Sequence, residues 1–184
     1  MRRVASARAF TLIELMIAVA IMGILIEFLP SASRLFYQVR RIAEAHTEIA
    51  HSALALEGII GRDLKGATSV ARAFKNFAAS DRCLILETRR VGSGGRLLAG
   101  APDHIVFALD PREPSRLVKE VFPSPGSRRS PTRQILAQNV LSLKFTVAEG
   151  AKLVLWDVAF GSAVEHRVIK RAFSSAAALR TAGL

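Results

Sequence analysis

Residues 8–29 read RAFTLIELMIAVAIMGILIEFL, and the run 10–29 within them carries only two charged side chains, Glu14 and Glu27. A helix of this length rises about 30 Å, which is enough to cross the hydrocarbon core of a bilayer. An ordinary secretory signal has its small-residue cleavage site after the apolar run and loses the run on processing. Here the small residue, Ala9, precedes the run. Cleavage between Ala9 and Phe10 would therefore leave the run as the first helix of the mature protein.

Glu14 is the residue that a plain membrane anchor does not explain. A charged side chain inside the hydrocarbon costs about 2.5–3.5 kcal/mol even on lenient insertion scales. A generic signal anchor needs only apolar length, so a carboxylate near the start of the run indicates a partner group that neutralises it. Glu14 therefore favours a helix that meets another subunit over a simple anchor.

The order of residues from Ala9 to Glu14, followed by an apolar helix, resembles the class III signal of type IV pilins and type II secretion pseudopilins. The family usually has Gly before the cleaved bond, where this chain has Ala9. The resemblance implies that prepilin peptidase cleaves the Ala9–Phe10 bond and that the new N-terminal nitrogen of Phe10 is methylated. It also implies that Glu14 pairs with the N-terminal ammonium of a neighbouring subunit during assembly.

The residues that flank the run predict its orientation and its end. Arg2, Arg3 and Arg8 precede it without a neighbouring acid, so the N-terminus is expected in the cytoplasm and the remainder is expected to be exported. This predicts a single-pass inner-membrane protein with a periplasmic head. Pro30 is predicted to interrupt or kink the membrane helix, because it removes one backbone hydrogen bond. Glu27 is interpreted as an interfacial carboxylate, with a second inter-subunit contact as the alternative.

Residues 31–68 have the pattern of an amphipathic helix. Apolar side chains recur every three or four residues and would form one buried stripe. Glycines weaken the helix towards its end. The predicted stripe consists of Leu35, Val39, Ile42, Ala45, Ile49, Ala53, Leu56, Ile60 and Leu64.

The second half of the chain has short apolar segments separated by turn signals, which is typical of an antiparallel sheet. The alternation in residues 140–147 places Leu141, Leu143, Phe145 and Val147 on one face. Short turns join the last three segments and predict a meander. The predicted strands are 83–88, 104–109, 116–122, 140–147, 152–160 and 164–170.

These segments predict an α+β fold in which a long N-terminal helix, first transmembrane and then amphipathic, packs on an antiparallel β-sheet head. The architecture resembles that of the pilins. The predicted divisions are a cleaved basic leader at 1–9, a transmembrane helix at 10–30, its amphipathic continuation at 31–68, and a periplasmic β-rich head at 69–184.

The formal net charge of +11 indicates attraction to polyanions such as anionic lipid or nucleic acid. The basic pairs, including 89–90 and 128–129, are dispersed along the sequence, and no aromatic residues that would stack on bases accompany them. A solvated basic surface is therefore favoured over a nucleic-acid site. The single cysteine, Cys83, excludes an internal disulfide and is predicted to pack as a small apolar residue.

Residues that would form a catalytic or metal site are scattered along the sequence. His46 and His51 are five residues apart, which turns them away from each other on a helix, and they do not have metal-ligand spacing. The sequence shows no catalytic triad, no paired carboxylates and no phosphate-binding loop. We therefore predict a structural protein rather than an enzyme, with no metal and no cofactor.

The soluble part is similar to the J-type minor pseudopilins of type II secretion systems. The similar positions are the Arg-Asp-Leu triplet at 62–64, residues 117–120 and 136–145, and Trp156. Glu14 argues against the K-type tip subunit, which lacks a Glu at that place. The resemblance implies a subunit at or near the tip of a periplasmic pseudopilus, which helps to initiate assembly and drive protein export. Its partners would be prepilin peptidase and the other minor and major pseudopilins.

Two alternatives stay open. A minor type IV pilin would share the N-terminal segment and serve pilus assembly, adhesion or DNA uptake. A membrane-anchored periplasmic binding protein or enzyme would make Glu14 coincidental and would need a site that the sequence does not show.

Overall fold

A computed structural model of the chain describes residues 11–92, 95–148, 152–164 and 167–179. Within them a single long helix is followed by strands that pair with their neighbours in antiparallel fashion. The elements are α1 (Leu12–Gly66), β1 (Ala67–Val70), β2 (Ala73–Phe74), β3 (Phe77–Ala78), β4 (Cys83–Val91), β5 (Leu97–Leu109), β6 (Leu117–Phe122), β7 (Thr132–Ala137), β8 (Val140–Ala148), β9 (Leu153–Val164) and β10 (Arg167–Ala178). The α+β prediction is confirmed.

Helix α1 has 55 residues, and its N-terminal part is long and apolar enough to cross a membrane. The helix runs through Pro30 without a break, so the predicted interruption at this residue is wrong. A proline costs a helix one backbone hydrogen bond, and the turns on either side supply enough further bonds to carry the helix past it. A kink at Pro30 stays a prediction.

The chain divides into two compact units, Met1–Glu44 and Ala45–Leu184. The last six members of the predicted stripe, from Ala45 to Leu64, are all buried within the second unit. Leu56, Ile60 and Leu64 are completely buried there, and each contributes about 1.5–3 kcal/mol relative to an exposed side chain. The first three members of the stripe, Leu35, Val39 and Ile42, are exposed.

A five-stranded sheet in the order β1-β4-β5-β6-β7 packs on this buried stripe. Successive side chains of a strand point to opposite faces. Leu84 and Leu86 of β4 therefore join the core around α1, together with Phe107 of β5. The intervening Ile85 and Val106 belong to a second, smaller cluster on the other face.

The small β2–β3 hairpin covers that second face. Phe74 and Phe77 pack against the smaller cluster. The ring of Phe74 stacks on His104 of β5, with centroids 3.7 Å apart and planes 12° from parallel. Lys75 occupies the turn with a positive φ of 51°, and its Nζ lies 4.5 Å from the centroid of the Phe122 ring. Both faces of the five-stranded sheet are thus packed.

The last three strands form a separate sheet in the order β10-β9-β8, which confirms the predicted meander. Trp156 is 3% exposed and lies in the core. Leu143 and Phe145 of β8 are buried as predicted, whereas Leu141 and Val147 are 52% and 40% exposed. The one-face prediction is therefore wrong for Leu141, whereas Val147 stays in register with Leu143 and Phe145 and is only more exposed than they are.

A break in strand register accounts for the position of Leu141. The pairing of β8 with β9 shifts between Val140 and Ser142, and such a bulge moves the side chains on its two sides to different faces. Val140 therefore enters the core, and the side chain of Leu141 lies against the backbone of Gly161. Val147 pairs with the buried Val154 near the end of β8, which is an edge strand of its sheet.

Four strands were not predicted, and four others are clearly longer than predicted. The strands that were not predicted are β1, β2, β3 and β7. Strand β4 extends to Val91 instead of 88, β5 begins at Leu97 instead of 104, β9 extends to Val164 instead of 160, and β10 extends to Ala178 instead of 170. Strand β7 reads TRQILA and is mostly exposed because it is the edge of its sheet. It therefore lacks the apolar alternation on which the prediction depended. The predicted turn at 149–150 lies outside the described residues.

Candidate functional site

The start of α1 is organised around Glu14. Its Oε2 accepts hydrogen bonds from the backbone N and from the Oγ1 of Thr11, each at 2.9 Å. The backbone N of Glu14 in turn donates to Thr11 Oγ1 at 3.4 Å. These reciprocal bonds form a capping box, in which residues three apart satisfy free N–H groups of the first helical turn.

The capping box gives Glu14 a role inside its own subunit that sequence reasoning missed. The sequence pattern of a capping box is visible at residues 11–14 as Thr-x-x-Glu at the start of an apolar run. A negative charge in the first turn is also favourable because it faces the positive end of the helix dipole. An isolated subunit can therefore carry Glu14 at a lower cost than an unpaired carboxylate would impose.

The box uses only one of the two oxygens of Glu14. Among the described residues, none donates a hydrogen bond to Oε1, and the side chain is exposed. A carboxylate accepts up to about four hydrogen bonds. Glu14 can therefore retain its contact with Thr11 and bind a cation from another molecule through Oε1.

The structure describes some of the predicted site residues and not others. The predicted cleavage position, Ala9 and Phe10, lies outside the described residues, so cleavage and methylation there stay predictions. Glu27 is exposed within α1. Pro30 lies inside the helix, as described above. Within the described part of the chain, no three His, Cys, Asp or Glu side chains are grouped closely enough to hold a metal ion.

Comparison with known protein families finds a known motif in the segment that contains Glu14. Residues 5–26 match the prokaryotic N-terminal methylation motif. This motif is the prepilin signal of type IV pilins and pseudopilins, so it supports a pilin-like or pseudopilin-like protein. The motif spans the predicted cleavage position, the capping box and most of the apolar run. No curated protein compared with the chain matches it.

A second arrangement links α1 to the sheet within the larger unit. Asp63 belongs to the Arg-Asp-Leu triplet, and its Oδ2 lies 2.5 Å from Nζ of Lys119 in β6. The two side chains are only 15% and 17% exposed. Lys119 Nζ also lies 6.0 Å from the ring centroid of Phe107. Two segments that carried the J-type resemblance, 62–64 and 117–120, therefore contact each other, and this ion pair joins the helix to the strand.

Proposed function

We propose that the protein is a structural subunit, a minor pseudopilin of a type II secretion system, acting at or near the tip of a periplasmic pseudopilus. In this role it helps to initiate assembly and to drive protein export, with prepilin peptidase and the other minor and major pseudopilins as partners. The observation that carries the proposal is Glu14, which lies inside the methylation motif and has one carboxylate oxygen available.

The geometry suggests how Glu14 would act. Before assembly, the capping box with Thr11 partly compensates the carboxylate in the membrane. During assembly, the ammonium at Phe10 of a neighbouring subunit would approach Oε1. The attraction between these charges is strong because the surrounding hydrocarbon has a low dielectric constant. The resulting ion pair would set the position of each added subunit along the filament.

The remaining features are consistent with this role. The N-terminal basic residues favour a leader in the cytoplasm, and the β-rich unit would then lie in the periplasm. The contact between Asp63 and Lys119 joins two segments of the J-type resemblance, and it is consistent with the proposed subgroup. The proposed role is mechanical and needs no catalytic group.

The test replaces Glu14 with Leu in the full-length protein, in the producing bacterium. The matched control is Glu27→Leu, which removes the other carboxylate of the same apolar run. We expect both variants to be inserted and cleaved, with a mature N-terminus at Phe10 by mass spectrometry. An ammonium left without its carboxylate costs about 3 kcal/mol. We therefore expect Glu14→Leu to lower co-purification with other pilin-like subunits about a hundredfold, whereas Glu27→Leu retains it.

The readouts separate the competing assignments. An intact Met1, or cleavage after the apolar run, would rule out the prepilin reading. Normal co-purification and export by Glu14→Leu would remove the assembly role and favour a simple membrane anchor. Loss of pili with unchanged secretion, in a strain that lacks the protein, would assign the chain to a type IV pilus instead.

A further inference from the structure

Two basic pairs that are far apart in the sequence meet at one end of the five-stranded sheet. Arg89 and Arg90 lie near the end of β4, and residues 128–129 lie in the loop between β6 and β7. The backbone N of Arg128 donates to the carbonyl oxygen of Val91 at 2.7 Å. Arg96 lies beside them, since its carbonyl oxygen accepts from Gly92 N. We call Arg89, Arg90, Arg96, Arg128 and Arg129 the arginine platform.

A buried carboxylate holds the loop of the platform in place. Asp103 is completely buried. Its Oδ1 accepts from the N and the Oγ of Ser124 at 2.8 and 3.0 Å, and its Oδ2 accepts from Ser127 Oγ at 2.8 Å. Arg129 Nε lies 3.7 Å from the same Oδ2. A buried carboxylate with several donors is costly to disrupt, so the loop is fixed before any ligand arrives.

The local sequence of this loop favours the same conformation. Ser127 N donates to the carbonyl oxygen of Ser124 at 3.0 Å, and Gly126 has a φ of 80°. Proline in the second position and glycine with positive φ in the third define a type II turn. Arg90 stabilises the turn, because its Nη1 donates to the carbonyl oxygen of Pro125 at 2.6 Å.

The platform has an excess of positive charge. Arg90 donates only to carbonyl oxygens, those of Pro125 and Ala99, and its Nε is buried without a partner. Among the described residues, no carboxylate forms an ion pair with Arg89, Arg90, Arg96 or Arg128. Two carboxylates of the neighbouring strands already accept hydrogen bonds, Asp103 from Ser124 of the loop and Glu87 from Ser69 Oγ. Guanidinium groups in this state favour an external anion.

The shape beside these groups is concave. Arg89 and Arg90 line a depression of about 330 Å³ together with Thr68, Ala99, Gly100 and Pro102. A protruding phosphate chain can enter such a depression, whereas a flat membrane surface cannot follow it. Leu98 is a large apolar side chain at its rim and is 39% exposed, and one such residue offers little apolar surface to insert into lipid.

We propose that the arginine platform binds the phosphodiester backbone of duplex nucleic acid without reading its sequence. The two non-bridging oxygens of a phosphodiester can accept a pair of N–H bonds from one planar guanidinium group. The described part of the platform contains no aromatic side chain that would stack on bases, so contact is limited to the backbone. This binding is independent of subunit assembly and is measured without it.

The test uses the full-length protein in detergent and a fluorescent 20-base-pair duplex, with anisotropy recorded over a series of salt concentrations. The variant Arg89→Ala/Arg128→Ala removes two exposed platform charges. The matched control, Arg167→Ala/Lys170→Ala, removes two exposed charges from β10. Each lost phosphate contact lowers the slope of log affinity against log salt by about 0.9 and weakens binding near 0.1 M salt about eightfold. We expect the platform variant to lose about two contacts and the control to retain the parent slope.

A second variant, Arg89→Lys/Arg128→Lys, keeps both charges and should keep the salt slope, which shows that an effect of the alanines arises from charge and not from misfolding. Equal losses in the platform variant and the β10 control would overturn the proposal, because binding would then follow net charge alone. Failure of the parent to bind the duplex would also overturn it. Platform-dependent binding to phosphatidylglycerol vesicles without binding to the duplex would replace nucleic acid with a membrane.

Discussion

At the scale of single residues, three carboxylates are stabilised by nearby donors in different ways. Glu14 accepts from Thr11 three residues away, and Asp110 accepts from the backbone N of Arg112 two residues away. Asp103 depends on Ser124 and Ser127, more than twenty residues along the chain. The first two contacts are local and lower the cost of a charge wherever the segment folds. The third forms only when β5 and the following loop have come together.

Asp110 gives a prediction on the pH dependence of stability. The hydrogen bond from Arg112 N, together with the charge of Arg133 whose Nη2 lies 2.9 Å from Oδ2, holds the pKa of Asp110 below its ordinary value. A carboxyl group whose pKa is lower in the folded state stabilises the fold above its unfolded pKa, and this stabilisation is lost as the pH falls through the folded value. Asp110→Asn should therefore be less stable than the parent at pH 7 and closer to it near pH 3.

Urea unfolding at both pH values would measure this difference. Asparagine retains an oxygen that can accept from Arg112 N, so the substitution removes mainly the charge. Asp157→Asn serves as the control, because Asp157 is an exposed carboxylate on β9. An equal gap between Asp110→Asn and the parent at both pH values would contradict the prediction.

The difference between local contacts and contacts between distant segments explains which site residues could be predicted from the sequence. Glu14 was identified because its cost in an apolar run is visible in the sequence itself. Its capping partner, Thr11, was equally readable and was missed. The partners of Asp103 could not be predicted, because nothing in residues 123–129 indicates which strand they will meet. The meeting of the 89–90 and 128–129 pairs depends on the same long-range contact.

At the scale of elements, the helix shows what periodicity can and cannot predict. Leu35 and Ile60 occupy equivalent places in one apolar stripe, yet the first is exposed and the second is completely buried. Spacing identifies the apolar face of a helix, whereas burial depends on what covers that face. In β8 the alternation was read correctly for Leu143 and Phe145 and failed at Leu141, because the register shift is set by pairing with β9.

The ion pair between Asp63 and Lys119 predicts a strong coupling between helix and sheet. Removing one member leaves the other charge largely buried, which costs about 3 kcal/mol. We expect Asp63→Asn and Lys119→Met each to lower the free energy of unfolding by about this amount. The double variant should lose less than the sum, because it leaves neither charge unpaired.

A double-mutant cycle measured by chemical denaturation would quantify this coupling. The matched comparison is the exposed pair of Glu113 and Arg116, in which Arg116 Nε lies 2.8 Å from Glu113 Oε2. Exposed pairs couple by about 0.2–1 kcal/mol. A coupling for Asp63 and Lys119 no larger than this would show that the contact does not fix the helix on β6.

At the scale of the whole molecule, the predicted β-rich head is divided into two larger sheets and the β2–β3 hairpin. Strand β7 is the edge of the five-stranded sheet, and β8 is the edge of the three-stranded sheet. Between them only residues 138–139 connect the strands, and Asn139 has a φ of 58°. The antiparallel character followed from the sequence, because alternation and short turns are local. The division did not, since one residue with positive φ is enough to redirect the chain.

Cys83 lies at the start of β4, half-buried against the small cluster that the β2–β3 hairpin covers. Burial raises the pKa of its thiol, so even less of it is thiolate at neutral pH than in an exposed cysteine, and thiol reagents react slowly. We expect the reaction to be faster when the hairpin lifts from the sheet, because Phe74 and Phe77 of the hairpin pack against the same cluster as Cys83. The rate of labelling would then depend on how often that lifting occurs in the native protein.

Phe77→Ala should accelerate labelling about tenfold, because a loss of about 1.4 kcal/mol in hairpin stability raises the open population by that factor. Phe173→Ala, which shortens a similarly half-buried ring on β10, should leave the rate near that of the parent. Equal acceleration by both variants would show that the thiol reports unfolding of the whole β-rich unit. With the expected contrast, the labelling rate of Cys83 reports the opening of the β2–β3 hairpin, and no residue has to be introduced to measure it.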